Sequence, residues 1–123
     1  MSSALRLIEV LALFTLKHPT WTPPGAAQTL GLSRASAYRY FLILSEAGYI
    51  NEVAGHQYAL GSRIVELDRQ IRLGDPLVQV AVDEMVKLAR DTGGMTLLCR
   101  LYNQRVLCIH QERGARLPGF VSY

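Results

Sequence analysis

Cysteine, tryptophan and long apolar runs are scarce in this sequence. Its 123 residues include two cysteines and one tryptophan, so a fold built on several disulfide bonds is excluded. No apolar run approaches the roughly 20 residues that a transmembrane helix needs. The apolar stretch 8–16 lacks a basic leader and a small-residue cleavage site, which argues against a secretion signal. These absences favour a protein of the reducing cytosol that has no membrane partner.

The chain also has little excess charge. Its formal net charge is +3, and residues 1–60 carry four basic side chains against three acidic ones, a net of +1. That balance is weak support for a polyanionic partner such as DNA. The hydrophobic share of 50% is high enough to bury a core and to exclude a disordered chain.

Side chains that carry chemistry are equally sparse. The three histidines, His18, His56 and His110, have no metal-ligand spacing with the cysteines. There is no nucleophile beside a paired base, no glycine-rich phosphate loop and no carboxylate pair at a meaningful position. We therefore predict no metal, no cofactor, no catalytic residue and no enzymatic activity.

The most informative stretch of the sequence is residues 33–50. Ser33 is a good N-cap and Gly48 supplies a left-handed C-terminal cap, so the segment between them is predicted to be a helix. Four residues at helical spacing form a stripe that we expect to face the core. They are Ala37, Tyr40, Phe41 and Leu44.

The opposite face of this helix is an unusual mixture for a solvent-exposed surface. Arginines, hydroxyl groups and small side chains can contact phosphates and base edges, so the face is a candidate DNA-reading surface. An ordinary solvated face remains the alternative on the helix alone. The residues concerned are Ala35, Tyr38, Arg39 and Leu42, with Arg34 and Ser36 on the flanks.

The neighbouring segments indicate a winged helix-turn-helix. Residues 22–32 are predicted to form a short helix that Thr22 caps, followed by a glycine-containing turn that leads into Ser33. A preceding helix over residues 3–17 is expected to pack behind this helix and the one that begins after Ser33. Strands on either side of the loop 54–56 are predicted to form a hairpin, the wing.

The second half of the chain predicts two more helices and another hairpin. Residues 63–73 carry a narrow apolar stripe among alternating charges, which is typical of a helix that bridges two domains and needs a partner. Residues 76–92 are predicted to form a wider amphipathic helix, followed by strands 95–102 and 105–112 about a two-residue turn. The narrow stripe consists of Ile64, Leu67 and Ile71.

The predicted register of that hairpin puts Cys99 directly opposite Cys108. Opposed residues have Cβ atoms about 4.5 to 5.5 Å apart, close enough to raise the question of a disulfide bond. In a cytosolic protein, two reduced cysteines on a buried face are the favoured interpretation.

Three motifs together resemble the IclR-type bacterial transcription regulators. They are residues 30–39 (Leu-Gly-Leu-Ser-Arg-Ala-Ser-Ala-Tyr-Arg), 44–50 (Leu-Ser-Glu-Ala-Gly-Tyr-Ile) and 58–61 (Tyr-Ala-Leu-Gly). The resemblance implies an α+β fold with a winged helix-turn-helix domain over 1–61 and a linker helix over 62–74. Residues 75–123 would be the incomplete, truncated N-terminal part of a GAF-like α/β effector-binding domain. We therefore expect the sequence to be a fragment, with most of the effector site beyond it.

The resemblance also implies a function. Such proteins are sequence-specific regulators that bind a palindromic operator in double-stranded DNA as a homodimer or a tetramer, under the control of a small-molecule effector. Family effectors are typically small carboxylic or aromatic metabolites. The expected dimer contacts are Ile64, Leu67 and Ile71. The candidate DNA contacts are Thr22, Ser33, Arg34, Ala35, Ser36, Tyr38, Arg39, His56 and Gln57.

One departure from the family pattern concerns the second helix. Pro23, Pro24 and Gly25 stand where an aliphatic residue and helix-forming residues are usual. We nevertheless expect Thr22 and the free amides after it to hold a phosphate. Because the charge of residues 1–60 is modest, a winged helix that binds only other proteins remains the alternative function.

Overall fold

The computed structural model describes residues 2–115, and it confirms the predicted α+β fold. The chain divides into two compact units between Leu67 and Asp68, called here the first and second units. No helix among the described residues is long and apolar enough to cross a membrane. Residues 116–123, the end of the predicted effector region, lie outside the described part. The elements are α1 (Ser3–Ala12), α2 (Pro23–Leu30), α3 (Arg34–Glu46), β1 (Ile50–Glu52), β2 (Tyr58–Leu60), α4 (Ser62–Gly74), α5 (Pro76–Thr92), β3 (Met95–Tyr102) and β4 (Arg105–Arg113).

Helix α3 is central to the first unit because one of its faces is buried. All four residues of the predicted stripe are buried, as their spacing requires. The Phe41 ring lies 6.4 Å from the Phe14 ring and 5.1 Å, edge to face, from the Tyr58 ring, measured between centroids. Helices α1 and α2 and strand β1 complete this core with Val10, Ala26 and Ile50.

Both ends of α3 are closed by the residues that the sequence predicts. The Ser33 hydroxyl accepts a hydrogen bond from the Ser36 N–H at 3.1 Å, which is N-cap geometry. At the other end, Gly48 has a φ of 81°, a left-handed conformation that costs glycine little. Its N–H bonds to the Ser45 carbonyl, and the next N–H bonds to the Leu44 carbonyl. These two bonds form the Schellman motif.

Helix α1 is shorter than predicted, because it ends at Ala12 rather than Lys17. The N–H groups of Leu13 and Phe14 bond back only three residues, which tightens the last turn. Phe14 is then buried in the core. The prediction was wrong because residues 13–16 fit a helical pattern, whereas burial of the Phe14 ring takes the chain out of the helix.

The wing is a short antiparallel hairpin of β1 and β2, joined by a 3₁₀ turn at Ala54–His56. Tyr58 of β2 also exchanges two backbone hydrogen bonds with Trp21, at 2.9 and 2.8 Å. The Trp21 indole N–H donates to the Leu13 carbonyl at 2.9 Å. Trp21 therefore ties the wing and the end of α1 to the loop before α2.

In the second unit, α5 is joined to the β3–β4 hairpin by one carboxylate. Asp75 caps α5 by accepting a hydrogen bond from the Leu77 N–H at 2.9 Å. Arg100 of β3 donates to the same carboxylate through two nitrogens, at 2.9 and 2.7 Å. This guanidinium holds the pKa of the Asp75 carboxyl below its usual range. Beside this link lies a small apolar core of Val78, Met85, Ala89 and Ile109.

The β3–β4 hairpin has the predicted register, with Cys99 facing Cys108. Asn103 and Gln104 have φ values of 45° and 64°, positive at both central positions as a type I′ turn requires. A β-bulge shifts the register immediately before Cys99. Strand β4 ends at Arg113, one residue later than predicted.

The surroundings of the two cysteines differ from the expectation. Both are free thiols, and Cys99 is exposed while Cys108 is half-buried. The expectation of a buried face was therefore wrong for Cys99. It rested on the apolar composition of the strand, which does not show whether another element covers that side.

Candidate nucleic-acid interface

The outward face of α3, defined as Ala35, Tyr38, Arg39 and Leu42, is exposed. Tyr38 is 56% exposed and Leu42 is 58% exposed, while Ala35 and Arg39 are exposed as well. Arg34, at the start of the helix, is exposed, and Ser36 is half-buried. Because the opposite side of α3 fills a close-packed core, this face cannot turn inward without opening that core. The fold therefore holds the face towards solvent.

The two arginines of α3 carry charge that the protein does not neutralise. Within residues 2–115, neither Arg34 nor Arg39 lies within ion-pair distance of a carboxylate. The Arg39 guanidinium carbon lies 5.2 Å from the centre of the buried Tyr40 ring, a cation–π contact that steadies it. By contrast, Arg6 of α1 bonds to Glu9 at 3.3 Å and to the Leu30 carbonyl at 3.0 Å. Among the arginines of the first unit, the two without a carboxylate partner in the described structure both lie on α3.

The N-terminus of α3 offers two further donors. The Ser33 hydroxyl and carbonyl accept from the Ser36 and Ala37 N–H groups, at 3.1 and 3.0 Å. No acceptor in the described part of the chain meets the N–H groups of Arg34 and Ala35. Two free N–H groups at the positive end of a helix dipole suit an anion such as phosphate. The Ser33 hydroxyl also bonds to the Ser36 hydroxyl at 2.9 Å, so these two serines stabilise the helix start as well as facing outward.

The start of α2 contradicts the expectation of free amides. Pro23 and Pro24 have no N–H. The Gly25 N–H donates to the Thr22 hydroxyl at 3.1 Å, and the Ala26 N–H donates to the Thr22 carbonyl at 3.0 Å. No backbone donor of this first turn is left for a phosphate, so that part of the prediction was wrong. The Thr22 hydroxyl keeps its own proton and can still donate it outward.

Three of the predicted contact residues surround one depression of about 260 Å³. Thr22 comes from the cap of α2, Tyr38 from the outward face of α3 and His56 from the wing. Pro23, Pro24 and Tyr58 form the rest of its lining. Residues far apart in sequence therefore meet on one side of the first unit.

The wing tip contributes a histidine. His56 is exposed, and its Nδ1 lies 3.4 Å from the Glu52 carboxylate. Gln57, also a predicted contact, is half-buried, and its carbonyl accepts from the Val53 N–H at 2.7 Å to close the hairpin. The structure therefore places His56 at the tip and Gln57 at its base.

Comparison with family models gives a match over residues 3–54, to the family described as the IclR helix-turn-helix domain. This range contains helices α1 to α3, strand β1 and all the predicted contacts except those at the wing tip. This stretch of the chain is thus similar to an IclR helix-turn-helix domain, and no curated protein matches the chain.

Several solved structures are similar in fold to this chain. An IclR family transcriptional regulator from Brucella abortus has a TM-score of 0.77 at 22% identity, covering 93% of this chain and 44% of its own. The Thermotoga maritima IclR has a TM-score of 0.73 at 19% identity, covering 98% of this chain and 49% of its own. An IclR homolog from Microbacterium hydrocarbonoxydans, complexed with 4-hydroxybenzoate, has a TM-score of 0.72 at 21% identity. The match covers 99% of this chain and 51% of that structure. The chain thus spans about half the length of the structures that it matches.

The stretch similar to the IclR domain also contains a polar residue that sequence reasoning missed. Gln28 of α2 is exposed and, with Arg34, lines a depression of about 390 Å³ beside the start of α3. Its amide can both donate and accept a hydrogen bond. The available signal was its position as the first polar side chain after the buried pair Ala26 and Ala27.

Helix α4, which the sequence predicts to be a linker helix, has no buried residue. Ile64 and Leu67 are half-buried, and Ile71 is 57% exposed. Exposed apolar side chains on a helix are typical of a surface that packs against a partner. The dimer contact itself stays a prediction. Among residues 2–115 no group of three or more potential ligands could hold a metal ion.

Proposed function

We propose that this chain is the DNA-binding part of a cytoplasmic transcription regulator that recognises a specific operator through α3. The observation that carries the proposal is the outward face of α3, which is fixed by the buried opposite side. It contains Arg39 and is flanked by Arg34, and neither arginine has a carboxylate partner among residues 2–115. A helix presented in this way fits the major groove of B-DNA.

Each residue of the face is assigned a role by its position. Arg39 lies in the second turn of α3, where a guanidinium can donate to the O6 and N7 atoms of guanine. Arg34 and the free N–H groups at the start of the helix face a phosphate. Ala35 suits contact with a thymine methyl group, and Tyr38 and Ser36 supply hydroxyl groups for bases or backbone. The Thr22 hydroxyl and His56 contact the flanking backbone.

We further propose that two copies bind a roughly palindromic operator. The apolar side chains Ile64, Leu67 and Ile71 of α4 would form the contact between the copies, with a tetramer as the larger assembly. Two-fold symmetry of the protein then requires two half-sites about one helical turn apart, or a multiple of it.

The proposed effector is a small aromatic or aliphatic carboxylate. The support is the structure from Microbacterium hydrocarbonoxydans, which is complexed with 4-hydroxybenzoate. Because this chain spans about half of that structure, effector binding should be tested on any longer form of the protein as well.

The operator proposal predicts that DNA affinity falls with salt. Each phosphate neutralised by an arginine releases counterions, with a slope of log K against log salt of about −0.9 per phosphate. If Arg34 of each copy neutralises one phosphate, the dimer neutralises two, and affinity should fall roughly 10-fold between 50 and 200 mM salt. Duplexes should first be selected from a random pool, and their dissociation constants then measured at each salt concentration.

The alternative function is a winged helix that binds only other proteins. Its support is the net charge of +1 over residues 1–60. Under this alternative, the random pool yields no enriched sequence, and any duplex binding changes equally with salt for all sequences. Enrichment of a sequence with two-fold symmetry supports the operator proposal instead.

A further inference from the structure

The two thiols of the second unit lie in the geometry that a disulfide bond requires. Cys99 and Cys108 are direct partners in the register of β3 and β4, so their side chains project to the same face of the hairpin. Both sulfurs are free. No other cysteine exists in the chain, so any intramolecular disulfide must join these two.

The position of the pair relative to the turn brings the two residues especially close. A two-residue turn makes its flanking residues a hydrogen-bonded pair, and the pairs then alternate along the strands. Counting back from the turn at Asn103 and Gln104, the cysteines are the third pair after the closing one and fall on a non-hydrogen-bonded site. Such sites have Cα atoms about 4.5 Å apart, inside the range of about 4.4–6.8 Å for disulfides.

Access favours exchange at this pair, while local desolvation and the neighbouring Cys108 raise the pKa of the Cys99 thiol. Cys99 is exposed, so a small reagent can reach its sulfur, whereas Cys108 is half-buried beside it. The Cys108 thiol donates a hydrogen bond to the His110 carbonyl at 3.2 Å. The Cys108 thiol also interacts with the Cys99 thiol, and a weak thiol donor is readily given up.

We propose that Cys99 and Cys108 are a reversible thiol–disulfide site, oxidised by a low-molecular-weight disulfide such as oxidised glutathione. In the first step the Cys99 thiolate attacks one glutathione sulfur, and one glutathione thiolate leaves. In the second step the Cys108 thiolate attacks the Cys99 sulfur and releases the other glutathione. The protein loses two protons and two electrons, and oxidised glutathione becomes two molecules of reduced glutathione.

Oxidation has a local structural consequence. The disulfide replaces the Cys108 hydrogen bond to His110 and fixes the strand at the β-bulge. The neighbouring residue, Ile109, is buried, and its carbonyl accepts a hydrogen bond from Arg72 of α4 at 2.9 Å. Accessible disulfides have comparatively oxidising potentials, so this one should be formed and reduced within the range of a glutathione buffer. The inference does not depend on DNA binding.

The test is thiol counting in the full 123-residue chain. The protein is equilibrated in buffers of varying ratio of oxidised to reduced glutathione, alkylated with N-ethylmaleimide and weighed by intact mass spectrometry. We expect the number of alkylated thiols to fall from two to zero, without a long-lived glutathione adduct and without a disulfide between two chains. The number should return to two with dithiothreitol. Peptide mapping should then show the Cys99–Cys108 link.

Single variants supply the matched controls. Cys108→Ser leaves the accessible thiol without its partner, so it should stop at one attached glutathione, and Cys99→Ser should react more slowly because its remaining thiol is half-buried. Two results would overturn the proposal. One is a wild-type chain that keeps two alkylatable thiols in oxidised glutathione, and the other is a wild-type chain that accumulates glutathione adducts as the single variants do.

Discussion

Phe41→Ala is expected to destabilise the first unit by about 3–5 kcal/mol, the range for removing a fully buried phenyl ring. Phe41 is 1% exposed and contacts the rings of Phe14 and Tyr58. These three residues come from the segment after α1, from α3 and from the wing, so the cavity would open between all three elements. Because a small domain is stable by only about 5–15 kcal/mol, the variant should lose a large share of its stability and unfold at lower urea concentration.

Urea unfolding followed by tryptophan fluorescence measures this effect selectively. The single tryptophan, Trp21, belongs to the first unit, so its signal reports on that unit. Leu42→Ala is the matched control, because Leu42 is the next residue of the same helix and is 58% exposed. It should change the free energy of unfolding by no more than about 0.5 kcal/mol. Equal effects of the two variants would mean that α3 is not oriented as described.

Replacing both arginines of α3 by alanine is expected to weaken operator binding by about 2 kcal/mol or more, roughly 30-fold. Arg34 and Arg39 are the cationic groups of α3, and no carboxylate in the described chain competes for them. Their loss should also make the salt dependence of binding shallower. Arg39→Ala alone should relax the base preference at one operator position, because a guanidinium that contacts guanine carries sequence information.

Lys17→Ala is the control for charge. Lys17 lies in the exposed loop after α1, outside the outward face of α3. The Lys17→Ala substitution removes one positive charge, so a similar loss of affinity in this variant would indicate binding by overall charge rather than by α3. Fluorescence anisotropy with the selected duplex and a scrambled one measures both affinity and preference. An unchanged preference after Arg39→Ala would remove Arg39 from base recognition.

Local signals in the sequence predicted most of the elements. The caps Ser33 and Gly48 set the ends of α3, and both are found with the expected hydrogen bonds. The two-residue turn at Asn103 and Gln104 fixed the register of β3 and β4, since a hairpin register follows from its turn. In each case the interaction lies within a few residues along the chain.

The features that sequence reasoning missed depend on distant parts of the chain. Helix α1 stops early because Phe14 turns into a core built by α3 and the wing. The exposure of Cys99 depends on which elements cover its strand, and strand composition does not encode this. The α2 amides are a different case, because a count of donors over Pro23, Pro24 and Gly25 would have shown that none was left.

The net charge of the first 60 residues understates the positive charge at the candidate interface. The acidic side chains Glu9, Glu46 and Glu52 cancel charge in the sum, yet none of them forms an ion pair with Arg34 or Arg39. What matters for a phosphate is the field at one surface, and screening confines that field to about 10 Å at ordinary salt. A modest net charge is therefore compatible with a local cationic surface.

The central claim is that the outward face of α3 lies against DNA. The most direct measurement is an NMR titration of ¹⁵N-labelled protein with a duplex selected from the random pool. The account predicts the largest shift changes in residues 34–42, with further changes at Thr22 and His56 and small ones in the β3–β4 hairpin. Saturating duplex that shifts the hairpin signals most, or leaves those of α3 unmoved, would contradict it.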